Sequence, residues 1–245
     1  GDTKLASTAR ALAVKELAAV RDPRFHGLEK AGDKRFRQDG MSYLRAIWLA
    51  RRFGYDMAPL RAKILPLLPR FAADARRRGP DQRMSIAFLL HDLGLPHTET
   101  PEDVYPQSRI GTKISTQHWQ KSAMATYDLT HEIFAMTHRG ARAFPFRDPS
   151  ERKYAVSVAR TLLDAHMRTK NPDMAAELLL NLSQLSEPRG PQQEAARRFL
   201  FGSQNADGTF GSYDAVMMKK RTANPAYEVA IGGYLHTTMV CVWAL

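Results

Sequence analysis

Residues 127–138, Tyr-Asp-Leu-Thr-His-Glu-Ile-Phe-Ala-Met-Thr-His, hold the densest set of groups able to do chemistry in this chain of 245 residues. On a helix, Asp128, His131 and His138 share one face, because three and seven positions separate them. A carboxylate and imidazoles on one stripe can hold a divalent cation or pass protons. The zinc-protease pair His-Glu-x-x-His is absent here, since Ala135 stands where the second histidine would be. The plainer role for His131 is a core histidine bonded to Asp128, and for His138 a helix C-terminus.

A second pair, Asp173 and Glu177, lies four residues apart on a later helical segment, where two carboxylates can share a cation. Asp173 also suits the first turn of a helix, where acids stabilise the dipole. Glu177 is the more unusual member. It sits among Ala175, Ala176, Leu178 and Leu179, and charged groups seldom occupy so apolar a setting without a partner. A third candidate is His236, near the start of the last helical segment.

These residues have to be positioned by helices. Helical stretches are expected at 3–20, 41–53, from Pro59 onward with a break at Pro66 and Pro69, 81–93, 119–138, 150–168, 173–185 and from Pro191 onward. The helix from Pro191 leads into Phe201 and a turn, and a separate helix runs to the chain's end, with Leu235, Met239, Val242 and Trp243 read as its buried face. Residues 21–40 and 94–117 read as loops rich in Pro and Gly. No strand stands out. The fold class expected is therefore all-α, one domain over 1–245, built from helical hairpins.

The stretch Gln204-Asn-Ala-Asp207-Gly208-Thr-Phe210-Gly211, followed by the helix opening with His236-Thr-Thr, resembles the repeat of the terpenoid cyclase and protein prenyltransferase toroids. That resemblance implies an α/α toroid or partial toroid in which Gln204 and Phe210 staple one hairpin to the next, with Asp207 also structural. It also implies that His236 faces inward from the mouth as a metal ligand. The prenyltransferase Asp-x-Cys ligands and the aspartate motifs of both terpene cyclase classes are missing, so neither activity carries over. The Asp128-x-Thr-His131 and Asp173-x-x-x-Glu177-Leu-Leu pieces, with the late His236-Thr-Thr, also look like an uncharacterised bacterial family. A further resemblance, Ala87-Phe-Leu-Leu-His91-Asp92-Leu-Gly94, is to the His-Asp core of the HD phosphohydrolases, all-α enzymes with a metal held by histidines and aspartates.

If the toroid expectation holds, Asp128, His131, Glu177 and His236 meet in a central cavity as the catalytic and metal-binding set. Two imidazoles and two carboxylates suit zinc, iron or manganese. The expectation is then an enzyme acting on a small or medium organic, possibly anionic, substrate. The alternatives are an HD-type phosphohydrolase and a non-catalytic module that binds an anionic partner. The net charge of +11 favours anionic partners, but few aromatic residues interleave the arginines between Arg45 and Arg83, which argues against nucleic acid. No apolar run is long enough to span a bilayer. A single cysteine, Cys241, excludes an internal disulfide and fits the cytoplasm, although an exported chain with its leader removed fits the same sequence.

Overall fold

The computed structural model describes residues 25–52, 54, 56, 58–120, 123–206, 208–211 and 236–245. The helix expected at 3–20, Asp207 and Leu235 lie outside these residues. Among the described residues every regular element is helical, and the extended pairing seen is an isolated bridge between Gln204 and Phe210. The fold is all-α. Packing divides the chain into two compact units, Gly1–Ser108 and Arg109–Leu245, where the sequence reads as one domain over 1–245. No helix among the described residues is long and apolar enough to cross a membrane.

In the first unit, α1 spans Asp33–Arg52 and starts well before the expected Met41. Gly40, which the sequence reads as a loop residue, lies inside it. A Cβ there would come within 3.3 Å of the Phe71 ring, so the glycine serves close packing and the helix runs through it. The prolines split the next segment as expected, into α2 (Ala58–Ile64), a 3-10 turn (Leu65–Leu67) and α3 (Leu68–Ala75). Then come α4 (Pro80–Asp92) and the short α5 (Pro101–Val104), which a Thr100–Asp103 capping box fixes inside the stretch read as irregular. Phe36, Leu44, Ile47, Ile64, Phe71 and Phe88 form the core of this unit.

The second unit holds α6 (Thr116–Gln120), α7 (Ala123–Met136), α8 (Pro149–Arg168), α9 (Pro172–Gln184), α10 (Pro191–Gly202) and the helical residues 236–244, α11. The single helix expected from Trp119 to His138 is α6 and α7. It stops at Met136 because His138 and Arg139 both adopt positive φ, 48° and 57°. His138 therefore leaves the Asp128–His131 stripe. Asp148, not Ser150, caps α8, accepting from the amides of Ser150 and Glu151.

The site depends on α9. Asn171 caps it, accepting from Met174 N at 3.2 Å, and Pro172 occupies its first turn. Every residue from Met174 to Leu182 is buried, and α9 packs against α7, α8 and α10. Each such aliphatic side chain contributes about 1.5–3 kcal/mol on burial, enough to hold a charged neighbour in the same row.

Candidate functional site

Burial of α9 carries Glu177 into the core, where its side chain is 1% exposed. One carboxylate oxygen is met from α7: Thr130 Oγ1 lies 2.5 Å from Glu177 Oε2. The same hydroxyl lies 2.9 Å from the carbonyl of Tyr127, and it has a single proton to give. When Thr130 donates to Tyr127, only a protonated Glu177 completes the contact. When Glu177 is ionised, Thr130 turns to donate to it. The other oxygen, Glu177 Oε1, is buried and makes no hydrogen bond. Facing it at 3.5 Å is Nε2 of His236.

His236 reaches this position through the turn before α11. Gln204 Nε2 donates to the carbonyl of Gly208 at 3.0 Å, and Gly208 and Gly211 both adopt positive φ, 85° and 111°. The turn thereby presents Phe210, which is 1% exposed, to the core. The Phe210 amide then donates to Thr238 Oγ1 at 2.9 Å, which ties α11 to the turn. Gln204 thus bonds within its own turn, where it was expected to staple one hairpin to the next, and the contact with α11 is made by Phe210.

The buried side of α11 is Thr237, Val240, Cys241 and Ala244, not the face through Met239, Val242 and Trp243 that was expected. Those three residues are exposed. The helical register explains the difference. Thr237 must point inward to donate to Asp173 Oδ1 at 2.9 Å, and Cys241, one turn on, packs against the carbonyl of Pro172.

Asp173 completes the group. His236 Nδ1 lies 2.9 Å from Asp173 Oδ1, so the imidazole bridges the two carboxylates of α9. Asp173, Glu177 and His236 each offer a ligand atom, and all three lie within 4.8 Å of one another. Among the described residues they are the group of three or more histidine, cysteine or acidic side chains so disposed. Spacing is the cause: Asp173 and Glu177 are one helical turn apart, and a single imidazole spans the interval.

Electrostatics separate the two acids. Burial, the largest influence, pushes the Glu177 carboxyl up; the Thr130 hydroxyl opposes it and the neighbouring Asp173 charge adds to it, giving about 7. Burial would also raise Asp173, but the hydrogen bond and charge of His236, with the Thr237 hydroxyl, bring it below its ordinary value. One carboxyl is thus poised to hold a proton near neutrality while its neighbour stays ionised. Cys241, beside them, is pushed up to about 12 by burial and by Asp173, which keeps it an unreactive thiol.

His131 lies at the edge of this group. Its Nδ1 is 4.0 Å from Glu177 Oε2 and 2.9 Å from the Tyr127 carbonyl. Asp128 is turned elsewhere, in an ion pair with Arg109. Of the four residues expected to converge, then, Glu177 and His236 meet, His131 adjoins them, and Asp128 binds an arginine. Asp173 replaces it, and its spacing from Glu177 was the signal in the sequence. Glu132, next to His131, is fully buried for a structural reason, since it accepts from the amides of Arg109 and Ile110 at 2.9 and 3.1 Å.

In the first unit, Asp92 accepts from the Trp48 indole at 2.6 Å, and His91 Nδ1 lies 3.4 Å from His97 Nε2. His97 also lines an apolar cavity of about 240 Å³ walled by Leu68, Phe71, Ile86 and Leu90. The arginines of that unit are largely tied within it. Arg70 donates to the carbonyls of Leu28 and Glu29, Arg78 pairs with Asp74 at 2.6 Å, and Arg77 and Arg83 pair with Asp33 and Glu99.

A family model described as Domain of unknown function (DUF6895) matches residues 1–245. No curated protein and no solved structure matches the chain.

Proposed function

The chain belongs to the DUF6895 family, whose description carries no activity, so chemistry must be read from the site itself, and we propose that Asp173, Glu177 and His236 bind a divalent cation and make the second unit an enzyme for small organic substrates. One observation carries the reading. Glu177 Oε1 is buried without a hydrogen bond and faces the imidazole of His236. A buried carboxylate oxygen left without a donor costs several kcal/mol unless a proton or a cation meets it.

A zinc, iron or manganese ion suits a set of two carboxylates and one imidazole, and three protein ligands leave a position open for water or substrate. When bound, such an ion supplies Lewis-acid polarisation and an acidified water. The chain's own residues do the rest. Asp173 accepts from His236 Nδ1 and thereby fixes the tautomer that turns a lone pair on Nε2 toward Glu177. Thr130 holds the far oxygen of Glu177, and His131, its Nδ1 4.0 Å from that oxygen and bonded to the Tyr127 carbonyl, walls the same side. The toroid-like turn supports this reading only by placing α11. The same geometry without a cation is a proton-sharing pair of Glu177 and His236, so acid/base chemistry is the metal-free form of the same proposal.

The test is a panel of small carboxylic esters, amides and phosphate esters assayed with and without a chelator. Turnover that chelator abolishes, that Glu177→Gln and His236→Ala each lower at least about a hundredfold, and that Asp128→Asn leaves intact supports the proposal. Turnover equal in Glu177→Gln and the unaltered protein contradicts it.

A further inference from the structure

Two helices carry aromatic and apolar side chains away from the candidate site along one line. On α7, Tyr127, His131 and Phe134 fall at successive turns. The Tyr127 ring stacks on His131 with centroids 3.7 Å apart, and Phe134 meets His131 edge-on at 5.7 Å. On α11, His236, Met239 and Trp243 likewise share a flank, three and seven residues apart. The two lines join where Phe134 stacks on Trp243, centroids 5.7 Å apart and planes 19° from parallel.

This strip begins at the site on both sides. His131 Nδ1 is 4.0 Å from Glu177 Oε2, and His236 itself belongs to the Asp173–Glu177 group. Its outer members are open: Met239 is 54% exposed and Trp243 44%. Val242, 64% exposed and three residues beyond Met239, lies at the edge of this flank farthest round from His236. Exposed Met and Trp at helical spacing would cost nothing to replace with polar residues, as the far side of α8 is with Arg152, Lys153 and Arg160. Here they continue a stacked aromatic row that ends at an acid–imidazole cluster.

Resting on the proposed function of that cluster, we infer that the substrate carries an aromatic or extended apolar group, laid along the exposed Met239 and Trp243, with the buried Phe134 backing the indole, while its polar reacting group sits at Asp173, Glu177 and His236. The spacing sets its length. Seven residues of α-helix separate His236 from Trp243, a rise of about 10 Å. A short aliphatic spacer between a polar head and an aryl ring spans that interval, whereas a two-carbon acid does not reach the indole. An indole that stacks on Phe134 and is still 44% exposed keeps surface for contact with a second ring.

Two metal-binding probes distinguish the outcomes: acetohydroxamate, which has only the head, and 4-phenylbutanohydroxamate, which adds the spacer and ring. Each is titrated calorimetrically into zinc-loaded protein and into zinc-loaded Trp243→Ala and Met239→Ala, each variant first shown to melt as the unaltered protein does, because Trp243 also stacks on the buried Phe134. The inference predicts that the aryl probe binds the unaltered protein at least about tenfold tighter, that Trp243→Ala removes most of this gain, and that acetohydroxamate binds all three proteins alike. Equal affinity for the two probes, or a gain untouched by Trp243→Ala, overturns the inference while leaving the cation site standing. Failure of the protein to retain zinc overturns the cation site and the inference that rests on it, whereas zinc-loaded protein that binds neither probe overturns the inference alone.

Discussion

At the residue scale the account turns on Glu177, a carboxyl buried for the sake of its position and left half satisfied. With no cation present, its folded value of about 7 lies above the ordinary 4.5 of an unfolded glutamate. Between those values the folded state holds a proton that the unfolded state has released, so stability falls as pH rises through that window. The loss reaches about 3 kcal/mol once both states are ionised. Asp173, with its lowered value, works in the opposite sense and withdraws stability only as the solution turns acidic. Glu177→Gln is therefore expected to melt like the unaltered apo protein near pH 4.5 and several degrees higher at pH 8, as differential scanning calorimetry in a chelating buffer would show. Added zinc should reverse that order at pH 8, since the cation replaces the missing proton only in the unaltered protein.

Thr130 gives a second prediction at this scale. Its hydroxyl, 2.5 Å from Glu177 Oε2, leaves Oε1 as the oxygen turned toward His236. Thr130→Val keeps the shape and removes the donor, and zinc affinity is expected to fall by about tenfold to a hundredfold. Thr130→Ser should restore most of it. Equal weakening in valine and serine variants of normal thermal stability would assign the threonine to packing instead.

At the scale of elements, the site is made where α9 and α11 meet, and the turn at 204–211 sets that meeting. The Phe210 amide donates to Thr238, so Thr238→Val leaves a partly buried donor without its acceptor. A cost of about 1 kcal/mol in urea unfolding is expected, together with weaker zinc binding, because His236 lies two residues away on the same helix. Unchanged zinc binding would mean that the other anchors of α11, among them Thr237 on Asp173 and the Arg197 bond to the Leu245 carbonyl, hold His236 in place without the turn.

The elements also show what the sequence made legible. Prolines at first turns marked α9 and α10, and the pair Pro66 and Pro69 broke α2 from α3, because missing amide donors act locally. The Gln204–Phe210 turn was readable because Gly208 and Gly211, which tolerate positive φ, also act locally. The start of α1 was hidden by Gly40, whose purpose, room for the Phe71 ring, exists only after folding. The buried face of α11 was misassigned because hydrophobicity favoured Met239, Val242 and Trp243, while hydrogen bonds from Thr237 fixed the register. Asp128 and His131 lie on one helical face as spacing required, but Arg109 took the aspartate, and a partner from nineteen residues upstream leaves no mark in a periodicity.

At the scale of the molecule, part of the positive charge is matched internally: among the described residues of the first unit, Arg70, Arg77, Arg78 and Arg83 are tied to carbonyls and carboxylates of the same unit. The groove of the second unit beside α8, about 600 Å³, is similar: Arg152 and Arg160 both bind Glu187, at 3.0 and 2.6 Å. The proposed site consists of three side chains of two helices. The family match runs through both compact units, while the cluster belongs wholly to the second.

Cobalt(II) reports that cluster directly, because its visible absorption distinguishes an ion held by nitrogen and carboxylate ligands from one in water. Titrated into chelator-treated protein at neutral pH, it should give a protein-bound spectrum that saturates at one equivalent, is missing in Glu177→Gln and His236→Ala, and persists in Asp128→Asn. A spectrum no different from cobalt in buffer, or a bound spectrum that survives in Glu177→Gln and His236→Ala, would contradict the assignment of Asp173, Glu177 and His236 as a cation site.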